Sequence, residues 1–262
     1  MLALLHTSSV HVPVFDALRD EDSPGTPLRH LVHPDLLDRA RAGGPEAVGT
    51  AVRDVLAAAT GEGAAAILCT CSTIGAVAEE AAAAVGVPVL RVDRPMAAAA
   101  VAAGTRVTVL ATVESTLRPT ADLIAEEAVR AGREVTVVTR VVPGAWDLFE
   151  AGDQEGYDDA VATAVRAARR EAFPGGGEAR ADAIVLAQAS MAPAAERADG
   201  TAMVDVALDE TARDGAAVDE AAVDDTPAGG TGTDGSRSTY GVVLSSPRLG
   251  LRAAVRELTG GN

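Results

Sequence analysis

Short apolar runs of strand length recur along the chain with helix-forming stretches between them, the pattern of β/α units wrapped around a parallel sheet. The runs fall at residues 2–6, 65–69, 87–92, 106–111, 134–139, 183–187 and 241–244. Helices are expected over 34–42, 45–60, 74–85, 95–103, 115–131, 154–172 and 192–197. Pro34 and Pro45 sit where a first turn tolerates proline, and Gly104 and Gly132 sit where helices stop. With 262 residues the chain can form one large α/β domain or two lobes around a real core. Apolar residues make up 48% of it but aromatics only 2%, so Ala and Val carry the hydrophobic load, which suits close packing of helices on a parallel sheet.

Residues 209–239 break the pattern. They are acidic and small, with no aromatic and almost no large aliphatic side chain, so they cannot bury enough apolar surface to offset ordering. A disordered acidic insertion is expected there, with a regulatory or binding tail as the alternative. After it the chain resumes with a strand, a polar turn and a closing helix, a unit expected to pack beside the first strand. The expected division is therefore residues 1–94 with 240–262 in a first lobe and 95–208 in a second.

Several function classes are disfavoured by composition. All 22 basic residues are Arg, so no lysine is present to form a Schiff base with pyridoxal phosphate or a carbonyl substrate. A formal charge of -16 disfavours nucleic acid and anionic membrane as partners. Cys69 and Cys71 are too close in the chain to close an ordinary disulfide and no other cysteine exists, which points to a reducing cytoplasm. The first ten residues lack the basic region and the length of a signal peptide or membrane span, and read as a strand. His30 and His33 could be imagined as two metal ligands, but nothing at zinc-type spacing joins them, so no metal is expected. No GxGxxG follows a strand, and neither a GxxxxGK nor a GxSxG motif occurs.

What remains is a pair of related strand ends. Residues 64–75, AAAILCTCSTIG, run from a strand into Cys71, Ser72 and Thr73, and residues 181–191, ADAIVLAQASM, repeat the arrangement with Gln188 at the position of Cys71. A thiol between a strand end and a helix start is stabilised as thiolate by backbone N–H groups, whereas Cys69, inside the strand, reads as a core residue. Other strand ends carry matching hydroxyls: Thr7, Ser8 and Ser9; Thr112, Ser115 and Thr116; Ser190; Ser245 and Ser246. Ligands of parallel sheets bind at these carboxyl ends, and hydroxyls with free N–H donors suit a carboxylate. Each set taken singly also reads as helix capping. Arg94, Arg118 and Arg248 could hold a second carboxylate or lie on the surface.

On these residues the chain resembles the aspartate/glutamate/hydantoin racemase superfamily. ILCTCSTIG is similar to its first catalytic-cysteine motif, ATVEST to its second-lobe carboxylate-binding loop, IVLAQASM to the place of its second cysteine, and VLSSPRLGL to its closing strand and turn. The resemblance implies two pseudo-symmetric α/β lobes, each a short parallel sheet flanked by helices, with a cofactor-free active site between them and a homodimeric assembly. It implies that Cys71 moves a proton at the α-carbon of a small carboxylate. Thr7 or Ser8, Ser72, Thr73, Thr112 and Thr116 would hold the carboxylate, with N–H groups near Ser72 and Ala189 and the Ser190 turn beside the intermediate. Gln188 departs from the pattern, because an amide has no titratable proton and can bond an intermediate without acting as the second acid/base. One-thiol relatives such as arylmalonate decarboxylase, the alkene chemistry of maleate isomerase, and a non-catalytic carboxylate-binding protein are the alternatives.

Overall fold

The computed structural model describes residues 1–175, 179–199 and 241–260, so the expected acidic insertion at 209–239 lies outside the described residues. Among the described residues eight strands form two parallel four-stranded sheets. The first holds β1 (Leu2–His6), β2 (Leu28–Val32), β3 (Ala66–Cys69) and β4 (Val89–Arg91) in the order β2-β1-β3-β4. The second holds β5 (Arg106–Ala111), β6 (Thr136–Val141), β7 (Ala183–Leu186) and β8 (Val242–Ser245) in the order β6-β5-β7-β8. The same order in both sheets is the two-lobe α/β architecture that the family resemblance implies.

Helices connect the strands and cover both faces. Around the first sheet run α1 (His11–Asp22), α2 (Pro34–Gly43), α3 (Gly49–Gly61), α4 (Gly75–Glu80) and α5 (Ala82–Val85). Around the second run α6 (Arg94–Ala103), α7 (Leu117–Arg130), α8 (Ala145–Glu150), α9 (Gln154–Arg170) and α10 (Ala192–Asp199), and α11 (Ser246–Gly260) closes the described chain. The period of two in a strand explains why the inner strands need continuous apolar runs. In β1, Ala3 and Leu5 pack with Leu36 of α2 and Val52 and Leu56 of α3. Leu2 and Leu4 on the other face pack with Phe15 of α1 and Leu251 of α11. In the second sheet Val107 and Val109 meet Met96, Leu123 and Ile124, while Leu110 meets Tyr157 and Val161 on the opposite face. Each such side chain contributes about 1.5–3 kcal/mol by leaving water.

Four features differ from expectation. Strand β2, LRHLV, was not anticipated because an edge strand mixes polar and apolar residues and is only half-buried. Helices α1 and α8 were also missed, and the single helix expected over 74–85 is two pieces separated at Ala81. The closing strand does not lie beside β1. Instead β8 pairs with β7, Ala183 opposite Val242 and Leu186 opposite Ser245, and covers what would be an open edge of the second sheet. Only α11 returns to the first lobe, running straight on from β8 with no intervening turn. Gly250 makes that return possible, since a Cβ there would come within 2.5 Å of the Val92 carbonyl oxygen. The described part of segment 240–262, expected wholly in the first lobe, is thus shared between the two. Among the described residues no helix is long and apolar enough to cross a membrane.

Candidate active site

The carboxyl ends of both sheets border one cavity of about 250 Å³. The first lobe contributes Thr7, Ser8, Thr70, Cys71, Ser72 and Thr73 to its wall. From the second come Thr116, Gln188, Ala189 and Ser190. Strand register explains the meeting of Cys71 and Gln188. Leu2 lies opposite Ala66 in the first sheet, and Val107 opposite Ala183 in the second. Counting forward from these pairs makes Cys71 and Gln188 equivalent positions, with Thr7 equivalent to Thr112.

Cys71 lies just past the end of β3, and a turn at 72–74 leads from it into α4 at Gly75, one residue later than the helix start expected. It is partly exposed, whereas Cys69 is buried; the Cys69 thiol donates weakly to the Cys71 carbonyl oxygen at 3.6 Å. Burial pushes the Cys69 thiol far up, helped by the neighbouring Cys71, so Cys69 is an inert core residue. Under the turn lies an ion pair with essentially no exposure: Arg91 donates through Nε to Asp93 Oδ1 at 2.7 Å and through Nη2 to Oδ2 at 2.9 Å. Its guanidinium packs against Gly75, where an added Cβ would meet Arg91 Nε at 3.0 Å.

Gln188 is held by two donors. The Thr112 backbone N–H reaches its Oε1 at 2.6 Å and the Thr112 hydroxyl reaches the same oxygen at 2.9 Å. A backbone N–H can only donate, so the oxygen end of the amide is fixed there and the NH2 end is left for the cavity. Thr112, expected at the substrate carboxylate, therefore uses both donors to orient Gln188 and is absent from the cavity wall. Ser72, expected at the same carboxylate, stands in the cavity wall, and its hydroxyl donates to the Ala187 carbonyl oxygen at 3.1 Å and ties the two lobes together. Ser190 Oγ lies 2.8 Å from the hydroxyl of buried Tyr157. Burial raises that phenol, which keeps it protonated as a donor, while Ser190 and Thr112 act in the opposite sense.

Several wall residues were not singled out from sequence. Arg41 of α2 and Trp146 of α8 come from different lobes, and the guanidinium carbon lies 5.2 Å from the indole ring centroid. Trp146 stacks in turn on Phe149 at 5.0 Å. Among the described residues Arg41 is the one arginine on this wall. Arg94, by contrast, is held by Glu79, Glu126 and Glu127; Arg118 is exposed beside Asp122; and Arg248 bonds Glu21 and Asp22. His11 also reaches the cavity, and burial lowers it to about 4, so it lines the wall as a neutral ring. Among the described residues no group of three His, Cys, Asp or Glu side chains could hold a metal ion, and His30 instead faces His6 and Asp16.

Comparison with known proteins agrees with this fold. The Asp/Glu/hydantoin racemase family model matches residues 7–212. No curated protein matches the sequence. Among solved structures, a glutamate racemase isoform from Bacillus anthracis is similar at a TM-score of 0.60 and 13% identity, covering 100% of this chain and 82% of that one. A putative Asp/Glu racemase from Yersinia pestis is similar at 0.59 and 12%, covering 98% of each chain. A glycine-to-cysteine mutant of arylmalonate decarboxylase in its sulfate-associated form is similar at 0.54 and 17%, covering 100% of this chain and 94% of that one.

Proposed function

The chain belongs to the Asp/Glu/hydantoin racemase family, and from that membership we propose that it moves a proton at the α-carbon of a small carboxylate through the single thiol of Cys71. The observation that carries the reading is the opposition of Cys71 to Gln188 across one cavity, with Gln188 oriented by Thr112 to present donors. Cys71 as thiolate takes the α-proton, and the electron pair left on carbon spreads into the carboxylate as an enediolate. The Gln188 NH2 and the hydroxyls of Thr7, Ser8, Thr73 and Thr116 supply donors where that charge develops. Arg41 adds a cation at the wall, which draws a carboxylate into a chain of net charge -16. The paired free thiols suit the reducing cytoplasm expected for the chain.

Gln188 favours a second reading in which the reaction is one-sided. Loss of carbon dioxide from a substituted malonate leaves the same enediolate, and Cys71 as thiol protonates it on one face only. Incubation of amino acids, hydantoins and substituted malonates in heavy water separates these readings. We expect α-deuteration or decarboxylation that falls by about 10³-fold or more in Cys71→Ala. Absence of α-deuteration, decarboxylation and isomerisation with every compound overturns the enzymatic reading. Thermal stabilisation by a carboxylate, equal in wild type and Cys71→Ala, then identifies a binding protein.

A further inference from the structure

Behind the Cys71 wall, four side chains form a continuous hydrogen-bonded line from solvent to the cavity. Asp16 Oδ1 lies 3.3 Å from His30 Nε2; His30 Nδ1 lies 2.8 Å from His6 Nε2; His6 Nδ1 lies 2.8 Å from Thr70 Oγ1. Thr70 lines the cavity and its hydroxyl also reaches the Leu5 carbonyl oxygen at 3.1 Å. Register builds the line: Leu4 of β1 lies opposite His30 of β2, so His6, two residues on, shares its face. We propose that Asp16, His30, His6 and Thr70 are a relay that exchanges protons between solvent and the floor of the cavity.

The proton positions follow from the two ends. With Thr70 donating to the Leu5 carbonyl, its lone pair must accept from His6 Nδ1–H. Neutral His6 then presents a bare Nε2, which requires His30 Nδ1–H, and the Asp16 carboxylate requires His30 Nε2–H as well. In this loaded arrangement His30 is an imidazolium paired with Asp16. Delivery moves the Thr70 hydroxyl proton to an acceptor in the cavity, the His6 Nδ1 proton to Thr70, and the His30 Nδ1 proton to His6 Nε2. Both histidines are then neutral beside the Asp16 carboxylate, and Thr70 donates to His6, His6 to His30, and His30 to Asp16. A proton from the cavity restores the loaded arrangement; from there His30 Nε2 exchanges with solvent, losing its proton to water and taking one back at the same nitrogen. Each proton given to the cavity or to water is thus matched by one taken from the same side, which returns the line to its starting arrangement and is the balance an α-carbon exchange needs when Gln188 cannot supply the second proton.

The surroundings keep the charge at the solvent end. His6 is fully buried, faced by His11 and the Phe15 ring from α1 and by His30 from β2, and burial followed by the charges of His30 and His11 lowers it to about 3. Asp16 is half-exposed and shared with Arg19 at 3.4 Å. The use of the relay rests on the proposed role of Cys71, but its existence does not.

Nitrogen-15 NMR of the full chain, with only four histidines to assign, tests the relay without any substrate. As pH rises, we expect His30 to lose one proton and His6 to invert in the same step from the Nδ1–H to the Nε2–H tautomer. Asp16→Asn should move that step to lower pH. His30→Gln keeps hydrogen-bonding groups but cannot conduct, so His6 should stay in one tautomer at all pH values. A His6 that keeps its tautomer while His30 changes charge, or a His30 whose charge never changes, overturns the relay. Where α-deuteration is found, His30→Gln should lower kcat several-fold and flatten its pH profile with KM unchanged; an unchanged kcat removes the catalytic use and leaves the assignment of Cys71 standing.

Discussion

The two lobes repeat one strand order and one register, yet they furnish equivalent positions differently. The first places Thr7 and Cys71 where the second places Thr112 and Gln188. Behind Cys71 the first lobe has His6, His30 and Thr70, and the second has Ala111, Thr139 and Ala187 at the matching positions. Opposite Cys69 stands Arg91 with its buried partner Asp93, whereas opposite Leu186 stands the uncharged Ser245. Titratable groups therefore gather in the lobe that keeps the thiol, and the other lobe offers a fixed amide. The difference teaches that one scaffold, used twice, can carry a thiol on one side and a fixed amide at the equivalent place on the other.

The ion pair is the costliest part of that asymmetry. Arg91→Ala should destabilise the chain by about 3–5 kcal/mol in urea unfolding, because Asp93 would remain as an uncompensated buried charge. Ser245→Ala, at the matching place, should cost far less, and equal losses would remove the contrast. Next comes Gln188→Cys, which puts a second thiol opposite Cys71. It should raise interconversion of enantiomers by about 10²-fold, read by polarimetry or chiral chromatography. No gain would mean that Gln188 is not placed to address the second face.

Acid provides a third comparison. His6 and His11 are held neutral in the fold, at about 3 and about 4, against an ordinary value near 6.5. Below about 6.5 the unfolded chain binds protons that the folded one refuses, so stability falls as pH drops through this range towards about 4 and then about 3. Urea midpoints at pH 4.5 should lie below those at pH 7, and His11→Gln should weaken the dependence. The smallest effect belongs to the tie between lobes: Ser72→Ala removes the bond to the Ala187 carbonyl and should cost about 0.5–1.5 kcal/mol by thermal unfolding.

Much of the architecture was legible because parallel strands buried on both faces need continuous apolar runs, and LALLH, AILC, RVTVLA and AIVL have them. The equivalence of Cys71 and Gln188 was legible too, as a repeated strand-end motif. Strand β2 escaped notice because its Arg29 and His30 serve a half-buried edge. Arg41, Trp146 and the His6 line escaped because their meaning depends on partners distant in the chain. Thr112 was identified as polar and near the site, but its use in orienting Gln188 depends on a contact between residues 76 apart.

By itself the sequence determined a parallel α/β chain with two related strand ends, a single thiol among them, and no lysine for imine chemistry. Periodicity and residue type suffice for this, since strand burial and side-chain chemistry are local properties. Tertiary structure alone decided that β8 completes the second sheet while α11 returns to the first, that Ser72 joins the lobes, and that the Gln188 amide turns its donors inward. It also decided that His30 meets His6 and Asp16. Each of these depends on register and packing between distant segments, where one residue of slip would send the side chain to the opposite face.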